Sequence, residues 1–185
     1  MAKSKYIQSV LDAAGGKPKS TQWFREKIKE FGAPKSMDLI RDGKRTSVPT
    51  FGLLNMFVYD PKGKEKLPYY DTFPLVLPIE KYNNGFLGIN LHYLSMPMRI
   101  RLLDRLVDYS NNNKFDESTK LQVDYSRLKK IDLIKPCLKR YLAGHVKSKF
   151  RKVEADEFMI VTLLPVQRFK KQSDNHVFGK SRGMI

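Results

Sequence analysis

Apolar residues recur at helical spacing in two short stretches near the start of the chain. In KYIQSVLDAA, residues 5–14, Tyr6, Ile7, Val10, Leu11 and Ala14 share one face, with Ser4 at the cap position and Gly15-Gly16 ending the pattern. Ser20 or Thr21 then opens QWFREKIKEF, where Phe24, Ile28 and Phe31 form a stripe that Gly32 and Pro34 close. Helices this short bury little by themselves, so residues 1–49 read as a basic helical arm that docks on something else.

From Thr50 the period shortens. TFGLLNMFVYDP, LPYYDTFPLVLPIEKY and FLGINLHYL are rich in aromatic and aliphatic residues, and Asp60-Pro61, Lys62-Gly63 and Asn83-Asn84-Gly85 punctuate them. These predict antiparallel strands, with 73–82 and 86–94 joined as a hairpin at Asn84-Gly85. Alternation in the second strand puts Leu87, Ile89, Leu91 and Tyr93 toward a core and Asn90 and His92 on a partly solvated face. Prolines 68, 74 and 78 place the preceding strand at a sheet edge or at a sharp bend.

Met96-Pro97 starts a helix, MPMRIRLLDRLVDY, with Ile100, Leu103, Leu106 and Val107 buried and Arg99, Arg101 and Arg105 on the remaining surface. A polar loop over 110–119, a strand in KLQVDY and a short helix in YSRLKKIDLI follow. Pro136 then opens PCLKRYLAGHVKSKF, in which Leu138, Leu142, Val146 and Phe150 give a helix over 136–150. EFMIVTLLP, 157–165, is an apolar strand returning to the sheet. Residues 166–185 are polar, basic and aperiodic, and read as a tail. The expectation is an α+β fold: a small bent antiparallel sheet or partial barrel with two packed helices, in a core domain over 50–165, flanked by the arm and the tail.

Composition fits one folded body, since 41% of the 185 residues are hydrophobic and 11% aromatic, enough to form a core. The lone Cys137 rules out an internal disulfide framework and fits a reducing compartment. No apolar run is long enough to span a bilayer, so no membrane contact is expected, and the first residues do not read as a signal peptide.

Charge changes the picture more. The net charge is +16, distributed as +6 over residues 1–50, zero over 51–95, +3 over 96–135 and +7 over 136–185. A neutral sheet with cationic segments before and after it describes a body whose outer parts face negative charge.

Candidate enzymatic chemistry is sparse. The chain has no Gly-rich phosphate loop, HExxH, GxSxG or paired Cys-x-x-Cys. His92, His145 and His176 are isolated, and Cys137 reads as a small buried residue. Metal-dependent cleavage needs clustered carboxylates, and Glu154, Asp156 and Glu157 do cluster, but no acid-x-Lys follows to complete a nuclease signature and a solvated acidic edge is the simpler reading. The reading is therefore no catalytic residue, no metal and no cofactor. The basic residues carry more weight. Lys139, Arg140, Lys147, Lys149, Arg151 and Lys152 fall in one segment without an acid, and Arg168, Lys170 and Lys171 follow the last apolar run. Cations in this number suit phosphates or acidic proteins, and nothing among them reads base sequence. Tyr69, Tyr70, Phe73 and Phe86 serve equally as core or as stacking platforms.

The run LPYYDTFPLVLPIE, the hairpin YNNGFLGINLHYL, the helix MRIRLLDRLVD and IKPCLKRYLAGHV resemble small proteins of T-even-like tailed bacteriophages, especially marine myoviruses, described as virion structural proteins or DNA end protectors. The resemblance covers about residues 55–170 and contains no catalytic residue to carry over. It implies a non-enzymatic assembly protein made in the bacterial cytoplasm and built into the virion. Both a neck or head-completion position at the DNA end and a baseplate or tail position remain open. The partners it implies are other virion proteins in a symmetric multi-subunit assembly, and double-stranded DNA ends. A free, sequence-nonspecific nucleic-acid-binding protein is the alternative, with a nuclease behind it.

Overall fold

The computed structural model describes residues 4–109, 128 and 130–185. The loop 110–119, the strand in KLQVDY and most of the helix in YSRLKKIDLI lie outside the described residues. Helix α1 runs Lys5–Ala14 and α2 Thr21–Phe31, with the Ser20 hydroxyl accepting from the Trp23 amide at 3.1 Å. A third helix, α3, Ser36–Asp42, follows. The N-terminal helices are tied to the body, because Ile7, Val10, Ile28 and Leu39 belong to the main buried cluster.

Six antiparallel strands form one sheet. They are β1 (Arg45–Thr46), β2 (Asn55–Met56), β4 (Leu75–Tyr82), β5 (Gly85–Asn90), β6 (Leu138–Leu142) and β7 (Phe150–Lys152), in the order β1-β7-β2-β4-β5-β6. A second ladder pairs β3 (Tyr70–Asp71) with β8 (Phe169–Lys170). Strand β4 is internal, not at an edge, and its bend shows as a register shift between Pro78 and Glu80. At the hairpin tip a Cβ on Gly85 would overlap the Tyr141 carbonyl oxygen, so close approach of β6 requires glycine there.

The sheet is covered on both faces. One side packs Met56, Leu75, Leu77 and Ile89 into the helical core. Helix α4 (Met96–Tyr109) lies there against α5 (Phe158–Leu163), which also meets α2. The other side is a separate aromatic core of Phe57, Tyr59, Phe86, Tyr141 and Phe150, with Val76. The Phe86 and Tyr141 rings stack at 5.2 Å. Both faces of β5 are therefore dry, and Asn90 and His92 are buried, not solvated.

Four elements differ from the sequence expectation. The second strand of the hairpin, expected over 86–94, ends at Asn90, and Leu91–Tyr93 form a 3-10 turn. Residues 136–150 are not a helix: a 3-10 turn over Asp132–Cys137 leads into β6, then a 3-10 turn over Ala143–His145. The i, i+4 spacing of Leu138, Leu142, Val146 and Phe150 spans two strands and the link between them. That link runs from one edge of the sheet to β7 and bonds to the extension of β2, with the Asp60 amide on the His145 carbonyl at 3.0 Å and the Lys147 amide on the Val58 carbonyl at 2.8 Å. Residues 158–163 are helical, not a strand. A capping box formed by Glu154 and Glu157 precedes them, and short apolar runs fit either structure. Residues 166–185, expected to be aperiodic, hold β8 and the helix α6 (Asp174–Arg182), whose Val177 is fully buried.

Candidate nucleic-acid interface

The cations of residues 139–152 divide by strand geometry. In β6, an edge strand, long side chains lie along aromatic rings. The Arg140 guanidinium sits 3.6 Å from the centre of the Tyr82 ring and donates to the Asn84 side chain at the hairpin tip. Lys139 Nζ lies 4.1 Å from the centre of the Tyr93 ring. Both distances are within the reach of cation–π attraction. Lys139 is partly buried, and that burial pushes its ammonium pKa down from the ordinary lysine value. Lys147 and Lys149 stand exposed on the link between β6 and β7. Among the described residues, no carboxylate comes within 4.0 Å of Lys139, Arg140, Lys147 or Lys149. Charged edge strands also discourage sheet-to-sheet pairing, yet that role requires no aromatic partner.

The other expected site residues are placed differently. Arg151, in the middle of β7, points inward, is 1% exposed and pairs with buried Glu157 at 2.8 Å. A Cβ on Gly43 would overlap its guanidinium, so Gly43 makes room for it. Lys152 pairs with Glu154 at 2.7 Å. Lys171, in the left-handed region at φ 71°, donates to the carbonyls of Lys64, Glu65 and Leu67 at 2.7–2.8 Å. Arg168 and Lys170 are exposed, and Lys170 lies opposite Tyr70 in the small ladder. Arg99, expected on the surface of α4, is fully buried. It donates to the carbonyls of Leu94, His92 and Leu164 and to Gln167.

Beside β6 opens a cavity of about 280 Å³, bounded by Lys139, Arg140, Tyr93, Tyr141 and the loop around Pro61 and Leu67. Its floor rests on a buried polar cluster. Asp71 Oδ1 accepts from the amides of Phe73 and Arg168, and Oδ2 faces His92 Nδ1 at 2.9 Å and Asn90 Nδ2 at 3.3 Å. Burial alone would raise the Asp71 pKa, but the His92 ring and the two amides outweigh it and hold the carboxyl below its usual range. Burial also pushes the His92 pKa down, ahead of the pull from Asp71. Sequence reasoning missed this cluster, and no spacing rule joins Asp71 to His92. The contact arises in the fold, where Asn90 closes β5 and His92 follows it in a 3-10 turn facing Asp71.

Glu154, Asp156 and Glu157 do not converge on a metal position. Glu157 uses one oxygen for Arg151 and the other for the Glu154 amide, and among the described residues no group of three acids, histidines or cysteines could hold an ion. Cys137 is buried at the end of a 3-10 turn, and burial pushes its thiol up to about 12. His145 Nδ1 lies 2.8 Å from the Asp60 carbonyl oxygen. No described helix is long and apolar enough to cross a membrane.

No curated protein and no solved structure matches this chain. A family model does: residues 4–182 match that of the phage T4 terminal DNA protecting protein, a span that includes the arm, both cores of the sheet and helix α6. By that match over nearly its whole length, the chain belongs to the family of the phage T4 terminal DNA protecting protein.

Proposed function

We propose that the protein is a non-enzymatic virion component of a tailed phage that seats on the end of linear double-stranded DNA through the face around β6. The observation that carries this reading is the set of four cations, Lys139, Arg140, Lys147 and Lys149, without carboxylate partners among the described residues. Arg168 and Lys170 extend the same positive surface from the neighbouring ladder. Phosphate contacts of this kind position a protein on DNA without reading sequence. Exposed Phe31 and Met37, on and beside the N-terminal helices, supply apolar contacts for neighbouring virion proteins.

The test is protection of blunt linear duplex DNA from a double-strand exonuclease, with a closed circle of the same sequence as competitor. End protection that persists under an excess of the circular competitor, and that weakens steeply as salt rises, supports the reading. Equal affinity for circle and linear fragment leaves a general nucleic-acid binder instead. Mg²⁺-dependent cleavage by the purified protein, abolished in Asp156→Asn, overturns the non-enzymatic part. Imaging of virions with labelled protein decides between neck and baseplate.

A further inference from the structure

The cavity beside β6 is built for an anion. Lys139 forms part of its wall, partly buried on the Tyr93 ring and with no carboxylate in ion-pair reach among the described residues. Buried charges are ordinarily paired, because desolvation without compensation is costly. Asp71 also lines the cavity, yet it does not serve as that partner, since both its oxygens are engaged by Phe73, Arg168, His92 and Asn90. The ammonium therefore lacks its counterion within the described structure.

What surrounds it narrows the ligand. Tyr59, Tyr69, Tyr70, Tyr93 and Tyr141 line it with flat aromatic wall, a surface suited to the face of a sugar or base. Arg140 borders the cavity too, but its guanidinium is turned to Tyr82 and Asn84 at the hairpin tip, outside the lining, so the positive charge of the wall comes from Lys139. Around the mouth, exposed Lys62 and Lys66 flank the lining residues Pro61 and Leu67, while Lys170 lies opposite Tyr70. The volume, about 280 Å³, lies just below the usual range of ligand sites, about 300–1,000 Å³, and suits a small group. A phosphodiester inside a duplex continues on both sides and is met on open surfaces; a terminal phosphate continues on one side and fits a recess. It also carries more charge, because its second ionisation lies near about pH 6.

We propose that this cavity binds the terminal phosphomonoester of a DNA strand, with Lys139 as its principal counter-cation. The proposal rests on the DNA-end reading above and makes the end itself, not the duplex flank, the recognised chemistry.

The experiment compares blunt duplexes of one sequence bearing a 5′-phosphate, a 3′-phosphate or only hydroxyl ends, each titrated with the full-length protein at fixed salt. Expected is about tenfold tighter binding to one phosphorylated end than to the hydroxyl end, as for a charge-assisted hydrogen bond. The two phosphorylated arms identify which terminus is held. In Lys139→Met the preference falls below twofold, whereas Lys149→Met, outside the cavity, weakens all three duplexes alike. Equal affinity of the wild-type protein for all three, with exonuclease protection intact, overturns the cavity proposal and leaves the end-protecting reading standing. No binding to any duplex overturns both. The wild-type comparison does not depend on the folding of any variant.

Discussion

Arg99 and Arg151 on one side, and Lys139 and Arg140 on the other, show two uses of the same charge. Arg99 and Arg151 are almost wholly enclosed. The first is bonded to three carbonyls and an amide, the second to a carboxylate. Lys139 and Arg140 lie against Tyr93 and Tyr82, and among the described residues the polar side-chain contact of the pair is with Asn84. Inward cations hold elements together: Arg99 ties α4 to the strand-free stretch before β8, and Arg151 ties β7 to the turn ahead of α5. The outward pair leaves its charge unspent. A basic residue's role here follows from its partners, not from its place in a basic run.

The contrast is broken most forcefully at Arg151. Arg151→Ala leaves Glu157 buried without its cation, and the expected loss is about 3–5 kcal/mol, read as a fall in the denaturant midpoint. DNA affinity per folded molecule should not change, and a lower affinity would mean that Arg151 belongs with the outward set. Arg99→Met is expected to cost about 3 kcal/mol, since several buried carbonyls lose a donor at once. Differential scanning calorimetry should show the melting temperature falling with no change in the salt dependence of binding.

The reverse pattern is expected for Lys139→Met combined with Arg140→Gln. Stability should stay within about 1 kcal/mol of wild type, because cation–π contacts at partly exposed sites are worth about that much or less. DNA affinity should fall about tenfold, and the slope of log K against log salt should shrink by about two, close to one per phosphate contact removed. A large stability loss with an unaltered salt slope would erase the distinction between the two sets.

The smallest effect concerns acid. His92 has a folded pKa below its ordinary value, so the folded state binds fewer protons than the unfolded chain as pH falls below about 6.5, and stability declines there. Asp71, also held low, contributes stability above its unfolded value that is lost as pH falls through its folded one. Melting temperature should therefore drop from pH 7 to 5, and His92→Asn, which keeps an N–H toward Asp71, should flatten that first part of the decline while leaving the carboxylate part below it.

Elements that carry their own period and their own stops could be read from the chain. Helices α1, α2 and α4 begin and end close to where their apolar stripes and flanking Gly, Ser or Pro residues say, and the hairpin turns at Asn84-Gly85. The segment 136–152 could not be read that way, because its four apolar positions serve two different strands and their helical spacing is accidental. Residues 158–163 were ambiguous for a different reason: a fully buried helix and a fully buried strand both lack a polar side. There the capping box at Glu154 and Glu157 was the legible clue. Of the candidate site, the cations of β6 were evident as charge, but their tyrosine partners were not. Tyr82 ends β4 and Tyr93 lies in the 3-10 turn after β5, both more than forty residues earlier, and the pairing of β5 with β6 brings them close.

Lys171 adds an order in time. Its ammonium fastens the carbonyls of Lys64, Glu65 and Leu67, the loop that borders the cavity, from as far as 107 residues later in the chain. During synthesis the β4–β5 hairpin and the local bonds within residues 60–67 can form early, but the Lys171 tie to that loop forms only once residue 171 has left the ribosome. On the proposal above, a nascent or truncated chain would carry the sheet's basic edge without that tie across the recess.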